Sequence, residues 1–375
     1  MTPVLLNISS NPWLDALARL SVVALLLPLG VIWLTWLERK VIGRLQQRLG
    51  PMRVGPWGLL QGIADTIKLI TKEDVRPVTA DRWVFELAPF VIVVPVIMAL
   101  VALPFTAEIL VRNMALGLFY IIAVSGLSIM GMVMAGWGSD NKYALLGAVR
   151  AGAQLISYEV PLILVVVAVA MLGQTMNLTA IVAAQHKTPF IAYQPLGFII
   201  FAIATLAELY RQPFDIPVAE SEVVGGATVE YSGIRWSMFQ LGEFASLVLF
   251  SILGSLIFLG GWTWPLKHDL AGWAQAIVMV VKVSAFIIFF MWMRGSLPRL
   301  RIDQLMSLCW QVLLPFTLVQ IIINGLVLVY DWPDWTLSVL SGLSAAALVY
   351  VIYLAARREG VSVQTAGVQR VGSVL

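Results

Sequence analysis

Charge is what this sequence has least of. Only 12% of its 375 residues are Asp, Glu, Lys or Arg, against 60% that are apolar, whereas soluble domains carry about 25% charged residues. That shortage excludes an ordinary water-soluble globule. A single cysteine, Cys309, excludes an internal disulfide and a cysteine-built metal or cluster site. The two histidines, His186 and His268, lie far apart in outward-facing loops. They offer no haem pair and read as surface residues. Ten-residue stretches of alternating polarity are absent, which excludes a membrane β-barrel. No internal repeat is visible, which argues against a secondary transporter built from two similar halves.

What the chain does have is long uncharged runs, such as 87–107, 115–137 and 160–185. Each is long enough to cross a hydrocarbon core, which takes roughly 20 helical residues. The fold class is therefore an all-α polytopic membrane protein. About nine transmembrane helices are expected, near residues 14–37, 84–104, 115–137, 152–173, 194–210, 236–260, 272–293, 309–330 and 335–355, in one membrane domain spanning 1–375. Met1–Asp15 lacks the basic flank and small-residue cleavage site of a signal peptide, so the first span is expected to be retained. Trp33, Trp36, Trp262, Trp264, Trp332 and Trp335 fall at span ends, as interfacial anchors do.

The connecting segments differ sharply in basic charge. Loops near 38–83, 138–151, 208–235 and 294–308, with the tail 356–375, hold 19 Lys/Arg, and the opposite set holds only Arg112, Lys187 and Lys267. By the positive-inside rule, the basic set faces the cytoplasm. The amino terminus then lies outside and the carboxyl terminus inside a bacterial cell membrane. Within the first loop, Gly50-Pro51 and Gly55-Pro56 mark turns. After them, Leu60, Ile63, Ile67 and Ile70 recur at helical spacing, opposite Gln61, Asp65, Lys68 and Lys72. This predicts an amphipathic helix lying along the interface.

The acids are unusual in their placement. Six of the 21 fall within residues 208–243 (Glu208, Asp215, Glu220, Glu222, Glu230 and Glu243), facing only Arg211 and Arg235. Glu38 ends the first span, Glu159 lies about two turns into the fourth and Glu243 about two turns into the sixth. All of them converge on the basic side. Carboxylates at membrane depth cost about 2.5–3.5 kcal/mol near a helix centre. Partners must offset this, and Arg39, Arg150, Arg211 and Arg294 are on the same side. Glu220 and Glu222 are too close for both to ionise freely, since repulsion and desolvation each raise a carboxylate pKa. Acids titrating near neutrality suit proton coupling. Lys282, in mid-span, is expected to pair with an acid or to line a polar cavity.

Several motifs carry a resemblance: Glu38-Arg39-Lys40, Arg48-Leu49-Gly50-Pro51 and Val54–Gln61 in the first loop, then Asn141–Gly147 with Ser157-Tyr158-Glu159. Arg211-Gln212-Pro213-Phe214-Asp215 through Glu220-Ser221-Glu222, and Pro298–Leu305, complete the set. In this order they resemble the H-subunit family of respiratory complex I, over most of the chain. The resemblance implies a membrane subunit of a proton-pumping NADH-quinone oxidoreductase that forms a quinone entry tunnel. It also implies that the tunnel couples quinone reduction to proton translocation at the junction with the hydrophilic arm. The chain would be part of an enzyme without being catalytic alone. Its substrate would be quinone, with NAD, FMN and Fe–S clusters held by partner subunits.

The expected partners are the 49-kDa-type, PSST-type and adjacent small membrane subunits, with lipid and quinone; no nucleic acid is expected. Tunnel residues would be Arg39, Asp65, Lys68, Phe214, Arg294 and Arg299. Proton coupling would fall to Glu38, Glu159, Glu208, Asp215, Glu220, Glu222 and Glu243. Arg211, Lys282 and Arg301 would be structural charge partners. Val218 and Gly126 stand where some members carry acids. A related membrane subunit of a proton-translocating hydrogenase, or of a ferredoxin-dependent complex, is the alternative.

Overall fold

The computed structural model describes residues 12–107, 109–264 and 271–372; the side chains of 12–17, 19–20, 220–221 and 356–372, and with them the expectation for Glu220, lie outside that description, as does His268. The described chain is helical: α1 (Pro12–Leu45), α2 (Gln61–Thr71), α3 (Arg82–Val101), α4 (Gly117–Ser125), α5 (Ser128–Gly138), α6 (Lys142–Gly173), α7 (Leu178–Ala184), α8 (Phe190–Tyr193), α9 (Pro195–Glu208), α10 (Glu220–Val223), α11 (Gly233–Phe258), α12 (Gly272–Ser296), α13 (Ile302–Ser307), α14 (Leu314–Val329) and α15 (Asp334–Gly372). Among the described residues, eight helical stretches are long and apolar enough to cross a membrane. The chain is a multi-pass membrane protein.

Three expected spans depart from simple rods, the eighth because a π-helical stretch, Leu308–Leu313, joins α13 to α14. The third, Gly117–Gly138, is broken between α4 and α5 at Gly126 and Leu127. The fifth is only the 14 residues of α9, about 21 Å of helix at 1.5 Å per residue against a core of about 30 Å. So short a helix survives because protein, not lipid, surrounds its ends, where unpaired backbone groups need partners. Gln154 on α6 donates to Ala207 O (2.7 Å) and Phe214 O (2.9 Å). At the other end, Leu196 N–H donates to Ser341 Oγ.

The core is aromatic and close-packed. Phe201, Phe250, Phe258 and Phe290 are fully buried, and α9, α11 and α12 meet through Phe198, Phe201, Phe258 and Phe286. Gly131 lets α5 approach α3: a Cβ there would lie 2.4 Å from Ile92 Cγ1. α2 is amphipathic as expected, with Ile63, Ile67 and Ile70 exposed. It folds back onto α1, where Gly62 lies against Ile32.

The basic loops meet at one end of the bundle. Arg235 pairs with Asp74 (3.1 Å), Asn141 donates to Glu230 (2.6 Å), Arg150 bonds Glu222, and Leu300 N–H donates to Pro213 O (3.1 Å). Tyr231 stacks on Phe85 at 4.0 Å between ring centroids.

Candidate functional site

The site is assembled where α9 ends. Tyr210 takes a left-handed backbone conformation (φ 49°), uncommon for a bulky residue. That reversal turns Arg211 back under the bundle, with its N–H on Leu206 O. Arg211 is 1% exposed. Its guanidinium bonds Glu38 of α1 at 2.6 Å, lies 3.3 Å from Glu243 of α11, and sits over the Phe244 ring at 5.1 Å. Arg294 of α12 bonds the other Glu38 oxygen and lies 3.9 Å from Glu243. Two acids and two arginines from four elements thus form one balanced cluster. The pairing offsets the cost of taking these charges from water, while among the described residues Arg211 Nε and Nη2 have no hydrogen-bond partner.

A cavity of about 600 Å³ adjoins this cluster. Its polar wall includes Glu208, Tyr210, Gln212, Asp215, Glu243, Arg294 and Arg299, and its apolar wall Ile92, Met132, Leu155, Trp236 and Phe239. Arg299 donates to the Asp215 carbonyl at 2.6 Å, tying the last basic loop to the acidic one. Glu208 is 9% exposed. Among the described residues its Oε2 has no hydrogen-bond partner, nor has the Tyr210 hydroxyl. Buried polar atoms beside a cavity of this size are satisfied by water or by a polar ligand. The Glu159 carboxylate is seated on the α4–α5 break: a Cβ at Gly126 would fall 2.4 Å from Glu159 Oε1. The Glu159 carboxylate thus occupies the space that a side chain at position 126 would need.

The structure sorts the sequence expectations. Arg294, Arg299, Asp215, Glu208 and Glu243 reach the cavity, and Glu38 reaches the cluster beside it. Arg39, Asp65 and Lys68 do not line it. They pair with one another, Arg39 with Asp65 at 2.7 Å and Lys68 with Asp65 at 3.5 Å, because α2 packs back on α1. Burial pushes the Asp65 carboxyl up, but the Arg39 hydrogen bond and charge, with Gln61 and Lys68, outweigh it and hold the group below its ordinary range. Phe214 is a core residue, 3% exposed and packed on Tyr158 at 5.4 Å between centroids.

Arg301 is exposed and forms no ion pair among the described residues; its backbone N–H bonds Gln304. Glu222 is exposed and held by Arg150, away from the cavity lining. Lys282 pairs with no acid among the described residues. It donates to Leu259 O and Thr263 O, both at 2.6 Å, because α11 ends at Phe258 and leaves carbonyls that a lysine can satisfy.

Composition alone did not single out Tyr210, Gln212 or Gln240, which line the cavity, or Gln154, which holds the end of α9. The available signal was polarity in apolar surroundings: Gln154 and Gln240 interrupt apolar spans, and such residues usually face protein or a cavity.

The geometry defines a class: a helical membrane protein whose charged groups gather around one cavity at the basic end of the bundle. Residues 18–325 match the model of the NADH dehydrogenase family. The chain is 42% identical over 348 residues to the H subunit of the NADH-quinone oxidoreductase of Dehalococcoides mccartyi (strain CBDB1), covering 93% of this chain and 96% of that protein. It is 46% identical to the corresponding H subunit of Geobacillus kaustophilus (84% and 97% covered) and 49% identical to that of Anoxybacillus flavithermus (77% and 87%). The chain belongs to this family: it is a membrane subunit of an NADH-quinone oxidoreductase, the enzyme of respiratory complex I.

Proposed function

We propose that the cavity beside the acidic loop is the part of the quinone path that this chain contributes, and that the acids around it couple quinone reduction to proton translocation. The observation that carries this reading is the pairing of opposite walls in one space. Ile92, Met132, Leu155 and Phe239 offer an apolar surface for an isoprenoid tail. Glu208, Tyr210, Asp215, Arg294 and Arg299 offer polar groups near a quinone head.

Reduction takes two electrons and two protons. The electrons come from Fe–S clusters held by partner subunits and fed by NADH through FMN, and the quinone head is reduced on the neighbouring 49-kDa-type subunit. This chain contributes binding and electrostatics. At an effective dielectric near 20, one added charge 4 Å from another changes the local energy by about 4 kcal/mol. That is enough to move protons among Glu208, Glu159 and Glu243. Arg211 and Arg294 hold the field around them. The basic end faces the cytoplasm of a bacterial cell, with the amino terminus outside.

Photolabelling of the assembled complex with an azido-quinone tests the quinone path. Label in peptides 208–218 and 236–246, displaced by excess quinone, supports it. Displaceable label confined to other parts of this chain rejects it.

A further inference from the structure

A second crevice lies at the basic end of α1, apart from the charged cavity. Trp36, Lys40 and Arg44 line it at four-residue spacing on one face of α1, with Leu37 and Val41 beside them and Trp57 and Leu59 opposite; its volume is about 340 Å³. It shares no lining residue with the charged cavity, so the inference stands independently of the quinone reading.

Three observations point to an occupant. First, the cations here are uncompensated. Arg39, Arg76, Arg82, Arg150, Arg211, Arg235 and Arg294 each pair with a carboxylate. Lys40 and Arg44 form no ion pair among the described residues. Among the described residues Lys40 has only the Met52 sulfur as an acceptor, at 2.9 Å, and a thioether is a weak one. An ammonium keeps two further donors, and the exposed Arg44 guanidinium keeps five.

Second, the opposite wall is held in place at a conformational cost. Trp57 has a left-handed backbone (φ 58°) between Gly55 (φ 71°) and Gly58 (φ 79°), a conformation that bulky residues rarely adopt. It is held there while 71% exposed, and its carbonyl accepts from the Trp36 indole at 3.3 Å.

Third, the crevice continues into an apolar face. Leu25, Leu26, Leu29 and Trp33 of α1 are all at least half exposed, within a span apolar enough to cross the membrane.

We infer that this crevice binds one anionic glycerophospholipid. Its phosphate sits between Lys40 and Arg44, its glycerol backbone between Trp36 and Trp57, and its acyl chains along Leu29 and Leu25. Basic pockets flanked by interfacial tryptophans suit this chemistry, because the cations meet the phosphate while the indoles sit at headgroup depth.

The test is quantitative lipid mass spectrometry on the detergent-washed, assembled complex, comparing the parent with Lys40→Gln/Arg44→Gln. Loss of about one anionic phospholipid per complex, with zwitterionic lipid unchanged, is the expected result. Unchanged anionic lipid overturns the inference, and so does equal loss of anionic and zwitterionic lipid. Should the double variant fail to assemble, Arg44→Gln alone, which alters an exposed side chain, is compared with the charge-preserving Arg44→Lys. The first must lose the lipid and the second retain it; equal retention in both overturns the assignment.

Discussion

Glu38 and Arg211 meet at 2.6 Å although 173 residues separate them in the chain, and both are buried. This pair pins the turn after α9 to α1. Through Arg294 and Glu243 it also reaches α12 and α11, so four elements depend on it. Replacing Arg211 by Leu leaves two carboxylates with Arg294 as their only cation among the described residues. Stranding a buried charge in this way costs about 3–5 kcal/mol. The expected outcome is a large drop in the yield and thermal midpoint of the assembled complex. Arg211→Lys, which keeps the charge without the fork geometry, falls between the two. The three midpoints, measured in the same detergent, check the order.

Gly126 offers a packing test. A methyl group there falls 2.4 Å from Glu159 Oε1, so Gly126→Ala must displace that carboxylate or reopen the α4–α5 break. The atom met is the far end of a flexible side chain, which can turn aside, so the cost should stay at the low end for overpacking, about 1 kcal/mol. The thermal midpoint should fall only slightly, and a larger fall in quinone reductase activity would report the displacement of Glu159. Gly30→Ala, where nothing lies within 4 Å of the added methyl, replaces a helix-interior glycine and should not lower the midpoint.

The first loop should respond to acid. The Asp65 carboxyl is held below its ordinary range, burial being outweighed by Arg39. A depressed carboxylate contributes stability that is fully present above its unfolded-state value. That contribution disappears as pH falls through the lower, folded value. The protection of the 61–71 amides, their exchange taken relative to the intrinsic rate at each pH, should therefore hold down to about pH 4, the unperturbed carboxylate range, and fall below it. Asp65→Asn should remove the dependence while costing no more than about 1 kcal/mol, because the pair is partly solvated.

How much could be read in advance depended on the range of the interaction. The uncharged runs located the spans, and the spacing of Ile63, Ile67 and Ile70 located α2, because both patterns are local. The gathering of Glu38, Glu208 and Glu243 at one end followed from topology. Pairing did not. Arg39 looked free for the cavity until α2 folded back and supplied Asp65, an approach that needs Gly62 against Ile32. Lys282 was visible as an anomaly of depth, but its partners are backbone carbonyls, which every residue possesses and no sequence pattern marks. Glu222 stood in a conspicuous acidic run, yet Arg150 from a neighbouring helix holds it outside the cavity.

The carboxylates at this cavity are proposed to link quinone chemistry to proton movement, and the rest of the functional reading depends on that link. The most direct measurement is the number of protons translocated per quinone reduced by the reconstituted complex, with Glu208→Gln and Glu159→Gln against the parent. Both variants are predicted to bind quinone at the cavity while translocating fewer protons per quinone. Quinone reduction and proton translocation at the full parental ratio in both variants would contradict the link.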